Sequence, residues 1–177
     1  MNLQQFLPFE KYTLTTKLSE TAIRERLANN VQPRRGMFSY AGDRSGRPYE
    51  GTMNGNLFTI SRIIQHRNSF LPVINGEISS FLGQTEIRIR MGLDGFVKVF
   101  IILWLSFAGL ACIVTSAVLI AKPAAIFKND FPIGMLVPFF LFIFGFLLML
   151  LLFKYESKKS RAFLAGLFEA KEEASAR

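Results

Sequence analysis

Arg34, Arg35, Arg44 and Arg47 crowd into one stretch that also holds Gly36, Gly42, Gly46, Phe38, Tyr40 and Tyr49. A guanidinium presents a planar fork of N–H donors that can grip a carboxylate or phosphate through two bonds at once. Glycine lets a loop close around such a group, while aromatic rings stack on a base or settle at headgroup depth. Arg62 and Arg67 extend the same positive field from a neighbouring strand, as do Arg88 and Arg90. The candidate ligand set is therefore Arg34, Arg35, Arg44, Arg47, Arg62 and Arg67, and the ligand is an anion. Lipid headgroups and a nucleotide are the two chemical classes that fit, with nucleic acid ranked below both. The competing interpretation is a solvated basic face that sets membrane orientation.

Catalytic chemistry has no comparable signature. The chain has one histidine, His66, and one cysteine, Cys112, so neither a disulfide framework nor a Cys-based zinc site can be built within it. HExxH, CxxC and the glycine-rich phosphate loops are absent from the sequence. The carboxylates Glu10, Asp43, Glu50, Glu77 and Glu86 are scattered without a pairing interval. The sequence points away from an enzyme and implies no metal and no cofactor.

The elements that must position these residues come in two kinds. The first 96 residues alternate in the manner of a globular domain. Strands are expected over residues 12–18, 49–53, 57–64, 69–74, 77–81 and 84–91, and a helix over 20–29 with Ser19 as its N-cap. Leu18 and Ile23 stand at the spacing of a hydrophobic staple. Asn54-Gly55 and Asn75-Gly76 are expected turns, and the stretch 32–48 a loop. On the last strand Ile87, Ile89 and Met91 face one way, and Glu86, Arg88 and Arg90 the other.

Residues 97–121 and 131–153 are different. Apart from Lys98 at one edge they carry no charge, and each is long enough to cross a bilayer. At roughly −0.3 to −0.6 kcal/mol for each Leu, Ile, Val or Phe near the helix centre, insertion of the second is favoured by about 5 to 10 kcal/mol. Neither has an ionisable residue near its middle, which speaks against ion-coupled transport. The short connection makes the two helices antiparallel. Pro138 after Gly134 is a candidate kink. In the first span Ala108, Cys112 and Ser116 recur at helical spacing with Gly109 beside them, a small-residue stripe suited to close helix packing, within the hairpin or between protomers.

Of the 21 Lys and Arg, 13 precede or open the first span, two lie in the connection and six follow the second. The excess beside the spans places both termini in the cytoplasm of a plasma (inner) membrane. The N-terminus lacks the basic and apolar regions of a signal peptide, so the first span is the expected insertion signal. After the second span a helix is expected over 154–177, with Phe163, Leu164, Leu167 and Phe168 as an apolar stripe. That stripe either packs on the N-terminal domain or lies on the membrane surface.

The expected architecture is an α+β membrane protein: a strand-helix-antiparallel meander domain (1–96), a transmembrane hairpin (97–153) and a C-terminal helix (154–177). Two functions fit it. One is a non-enzymatic, membrane-anchored binding or sensing module whose basic domain holds a ligand or partner. The other is an oligomeric channel or membrane-perturbing effector gated by that domain, which requires a homo-oligomer because two helices cannot enclose a pore.

Overall fold

The computed structural model describes residues 7–33, 46–64, 68–81, 83–121 and 133–173. The chain forms two compact units. One combines Met1–Asp94 with Leu152–Arg177, and the other is Gly95–Leu151. The first is an α+β fold on a seven-stranded sheet of order β2-β3-β4-β5-β6-β1-β7.

β1 (Phe9–Thr16) starts earlier than the alternation at 12–18 suggests and buries Tyr12, Leu14 and Thr16. Ser19 then caps α1 (Glu20–Asn30), its Oγ accepting from the Ala22 N–H at 3.3 Å. Ile23 and Leu27, one turn apart, are the helix's buried residues. The chain passes directly into β2 (Val31–Pro33), which pairs in parallel with β3 (Tyr49–Asn54). A strand this short carries no readable alternation, and it falls where a loop is expected.

β3 and β4 (Leu57–Arg62) form the expected hairpin, but Asn54 pairs with Leu57, so the loop residues are Gly55 and Asn56. Gly55 takes φ +59, the left-handed value such a tight loop demands. The turn expected at Asn75-Gly76 does not exist. Both residues lie inside the continuous strand β5 (Val73–Phe81), and residues 69–72 precede it. Gly76 is there for a different reason. It stands opposite Phe58 in the ladder, and a Cβ on it would lie 2.0 Å from the Phe58 ring. The glycine leaves the space the aromatic ring occupies.

β6 (Gln84–Gly92) buries Ile87, Ile89 and Met91, as its alternation predicts. Directly opposed residues share a face of a sheet, so the register defines its buried side. One row runs Gly51, Ile60, Ile74, Met91, Glu10, and the next Phe58, Gly76, Ile89, Tyr12. The opposite face carries Lys11, Thr13, Glu77, Arg88 and Arg90, the usual division for an antiparallel sheet wetted on one side.

The buried face is covered by α1 and by residues 152–167, the C-terminal part of α3 (Val137–Leu167). Phe153, Leu164 and Phe168 are fully buried, Phe163 stacks on Tyr49 at 4.5 Å, and Phe168 meets Phe58 at 6.4 Å. Of the two alternatives for the apolar stripe, the structure adopts packing on the sheet.

The expected helix over 154–177 is corrected at its end. α3 stops at Leu167, and Lys171–Glu173 forms β7, antiparallel to β1. The stop has the two bonds of a Schellman motif. Ala170 N–H donates to the Ala165 carbonyl at 3.0 Å and Glu169 N–H to that of Gly166 at 3.3 Å, with Glu169 at φ 47. Glutamate rather than glycine holds the left-handed position, which hides the stop in the sequence.

The second unit contains α2 (Gly95–Ala121), a 3-10 turn (Ile133–Leu136) and the first turns of α3. Both helices are long and apolar enough to cross a membrane. On α2 the half-buried positions include Ile101, Leu105, Ala108, Cys112, Thr115 and Leu119, and Met135 in the 3-10 turn with Pro138, Phe142, Gly145 and Met149 on α3 follow the same rhythm of three and four, with Met149 buried. A 3.5-residue period is that of a left-handed antiparallel pair. Phe142 lies 3.6 Å from where a Gly109 Cβ would be, and Trp104 lies 3.0 Å from where one on Gly145 would be. Large apolar side chains face outward, Phe107 71% and Ile120 80% exposed. Pro138 sits in the first turn of α3, just after the 3-10 turn, where no helical N–H partner is lost.

Candidate functional site

Of the candidate arginines, Arg34, Arg35, Arg44 and Arg67 lie outside the described residues, as does His66. The structure separates the remaining two. Arg62 is on the buried face of β4, where its Nη1 donates to Glu156 Oε2 at 2.7 Å. Glu156 is 6% exposed and also faces Lys159 at 3.9 Å. A carboxylate this buried needs a charged partner, so Arg62 is engaged in holding α3 on the sheet.

The same holds along the rest of that interface. Glu10 receives Lys154 Nζ at 3.0 Å and lies 3.9 Å from Arg161. Arg161 also binds Glu172 on β7 and lies over the Tyr12 ring at 4.5 Å. Ser160 bonds the Tyr49 hydroxyl at 3.3 Å, and Ser157 meets Met91 Sδ at 3.4 Å. Arg26 reaches from α1 to the end of α3, donating to the Leu167 carbonyl at 2.8 Å and to Glu169 at 2.7 Å. Basic residues that the sequence offers as an orientation signal therefore also have structural partners. Burial pushes the Tyr12 phenol well above its ordinary range, with Arg161 opposing part of that rise. Tyr49 is also raised by burial, moderated by its bond to Ser160.

Arg47 is placed differently. It precedes β3 and lines a cavity of about 430 Å³ between α1, β2, β3 and β4. Leu27, Val31, Phe58, Ile60 and Met53 supply apolar wall. Gly51 on β3 and Ala28 on α1 are its smallest lining residues. A Cβ at Gly51 would lie 2.1 Å from the Thr59 carbonyl oxygen, so glycine is required there by the neighbouring strand. Arg47 Nη1 donates to the Val31 carbonyl at 3.1 Å. Among the described residues no carboxylate lies within ion-pair distance of it, in contrast to Arg24, Arg26, Arg62, Arg88 and Arg161.

In the sequence Arg47 stands out by its company of arginines and glycines, and the cavity beside it does not. No local signal carries the cavity, because its walls come from a helix and three strands. Ala108, Gly109, Cys112 and Ser116 are all half-buried on α2, and Gly109 is the one whose missing Cβ faces Phe142. Among the described residues no group of three His, Cys, Asp or Glu could hold a metal ion. Comparison with family models, curated proteins and solved structures gives no match for this chain.

Proposed function

We propose that this is a two-pass protein of the plasma (inner) membrane whose α+β unit, with both termini, lies in the cytoplasm and acts as a non-enzymatic module that binds an anionic ligand at the membrane. One observation carries the anchoring. Both flanks of the apolar helical pair, Met1–Asp94 and Leu152–Arg177, belong to one compact unit. A unit folded from both flanks must have them on one side of a bilayer, so the apolar excursion crosses and returns. The outward-facing apolar surface of that pair supports the same conclusion, since large apolar surface exposed to water is unfavourable and lipid is its natural solvent. The basic flanks set the orientation through the positive-inside bias. The arginines supply the binding chemistry, and Arg47, with no carboxylate partner among the described residues, is its best-placed member.

Single-cysteine labelling on a Cys112→Ser background tests this. Thr21→Cys and Lys158→Cys are expected to react with a membrane-impermeant maleimide only after cells are permeabilised. A cysteine in the 122–130 connection is expected to react in intact cells. Labelling of Thr21→Cys from outside, or recovery of the protein in the soluble fraction, overturns the assignment.

A further inference from the structure

We propose that the cavity between α1 and the β2–β3–β4 end of the sheet binds a small amphiphilic carboxylate, its tail against Ala28, Val31 and Met53 and its head on the Arg47 guanidinium. This rests on the binding-module function and names the ligand class for it.

Three observations converge. The volume of about 430 Å³ falls in the range of small-molecule sites. Its lining is mostly apolar, and it opens to solvent beside the exposed Ala28 and Met53, which gives a ligand a way in. The cavity has a cation at its rim. Arg47 uses one guanidinium N–H on the Val31 carbonyl, which leaves further donors for a carboxylate.

Charge and shape select the class. One guanidinium balances one negative charge, which suits a carboxylate better than the several charges of a nucleotide's phosphates. Phe58 is 2% exposed and its ring is packed against Gly76, so it offers no open platform on which a base could stack. What the cavity offers a ligand is a mostly apolar surface for a short chain or ring with one anionic end. In a protein whose helices cross a bilayer, such amphiphiles are concentrated where the unit sits.

Octanoate and 1-octanol are the probes, titrated calorimetrically into the full-length protein in phosphatidylcholine nanodiscs, with empty nanodiscs subtracted. Octanoate is expected to bind saturably at one site. Octanol, with the same tail and no charge, is expected to bind about tenfold more weakly, the loss of one charge-assisted contact. Arg47→Gln should bring octanoate down to the level of octanol. Ala28→Trp, which fills the cavity from an exposed helix position, should abolish saturable binding of both. Equal binding of the two probes by the unaltered protein, or no saturable octanoate binding beyond empty nanodiscs, overturns the proposal without reliance on a variant. The maleimide pattern does not depend on this site, so failure of the ligand and failure of the membrane assignment are told apart.

Discussion

Tyr12 shows how a single residue can be placed well for packing and badly for hydrogen bonding. Its ring is buried on β1 beneath Arg161, but its hydroxyl has no hydrogen-bond partner. A desolvated hydroxyl without a partner costs about 1 kcal/mol or more. Tyr12→Phe keeps the ring under Arg161 and removes that cost, so it is expected to raise thermal stability at neutral pH. Tyr49→Phe should lower it by about 1 kcal/mol, because Tyr49 does have a partner in Ser160. Both phenols have raised pKa values in the native state through burial. The unfolded chain releases these protons near pH 10 while the native state retains them, so native stability is complete below pH 10 and falls as pH rises above it. Thermal unfolding in nanodiscs across this range should show the fall, and Tyr12→Phe should make it shallower. An identical alkaline slope in that variant would assign the effect to other groups.

At the scale of elements, the helical pair is held by two complementary notches, and they differ in how much room they leave. The space beside Gly109 is ordinary contact distance from Phe142, whereas that beside Gly145 is already tight against Trp104. Gly109→Ala is therefore expected to be tolerated, with a gain of up to about 1 kcal/mol from helix propensity. Gly145→Leu should push the indole away and weaken the pair by about 1–3 kcal/mol through overpacking. Trp104 is the only tryptophan, so its emission reports this directly. A shifted spectrum and lower melting temperature are expected for Gly145→Leu and neither for Gly109→Ala. The ends of elements follow the same logic of neighbours. Gly76 sits inside a strand because Phe58 needs the space, and Glu169 ends a helix because Arg26 and the β7–β1 pairing hold the chain that follows.

At the scale of the whole molecule, the α+β unit is discontinuous in sequence. Its sheet takes β7 from beyond both apolar helices, and its buried face carries Glu10 and Arg62, whose charges are met by Lys154 and Glu156 on α3. A fragment of residues 1–94 alone would expose that face and leave those charges without their partners. It is expected to be aggregated or to lack cooperative unfolding. Joining residues 152–173 to it through a flexible linker should restore a cooperative transition. A cooperative transition in the 1–94 fragment equal to that of the joined chain would show that the N-terminal part is self-sufficient.

Periodicity and composition determined much of this protein without help. The two apolar helices, the capped α1 with Ile23 and Leu27 inward, the β3–β4 hairpin and the sidedness of β6 are all local properties, set by residues within a turn or a strand of one another. That Ala108, Cys112 and Ser116 share one half-buried side of α2 is legible for the same reason. Asn75-Gly76 misleads because a glycine needed for a cross-strand ring has the same sequence appearance as one needed for a turn. β2, β7 and the cavity were decided by tertiary structure, since short strands form only where a partner edge is presented and a cavity is the space several elements fail to fill. Which arginine is structural and which faces a cavity was decided there too. Arg62 and Arg47 read alike along the chain, and only the approach of Glu156 to one of them, across the width of the fold, tells them apart.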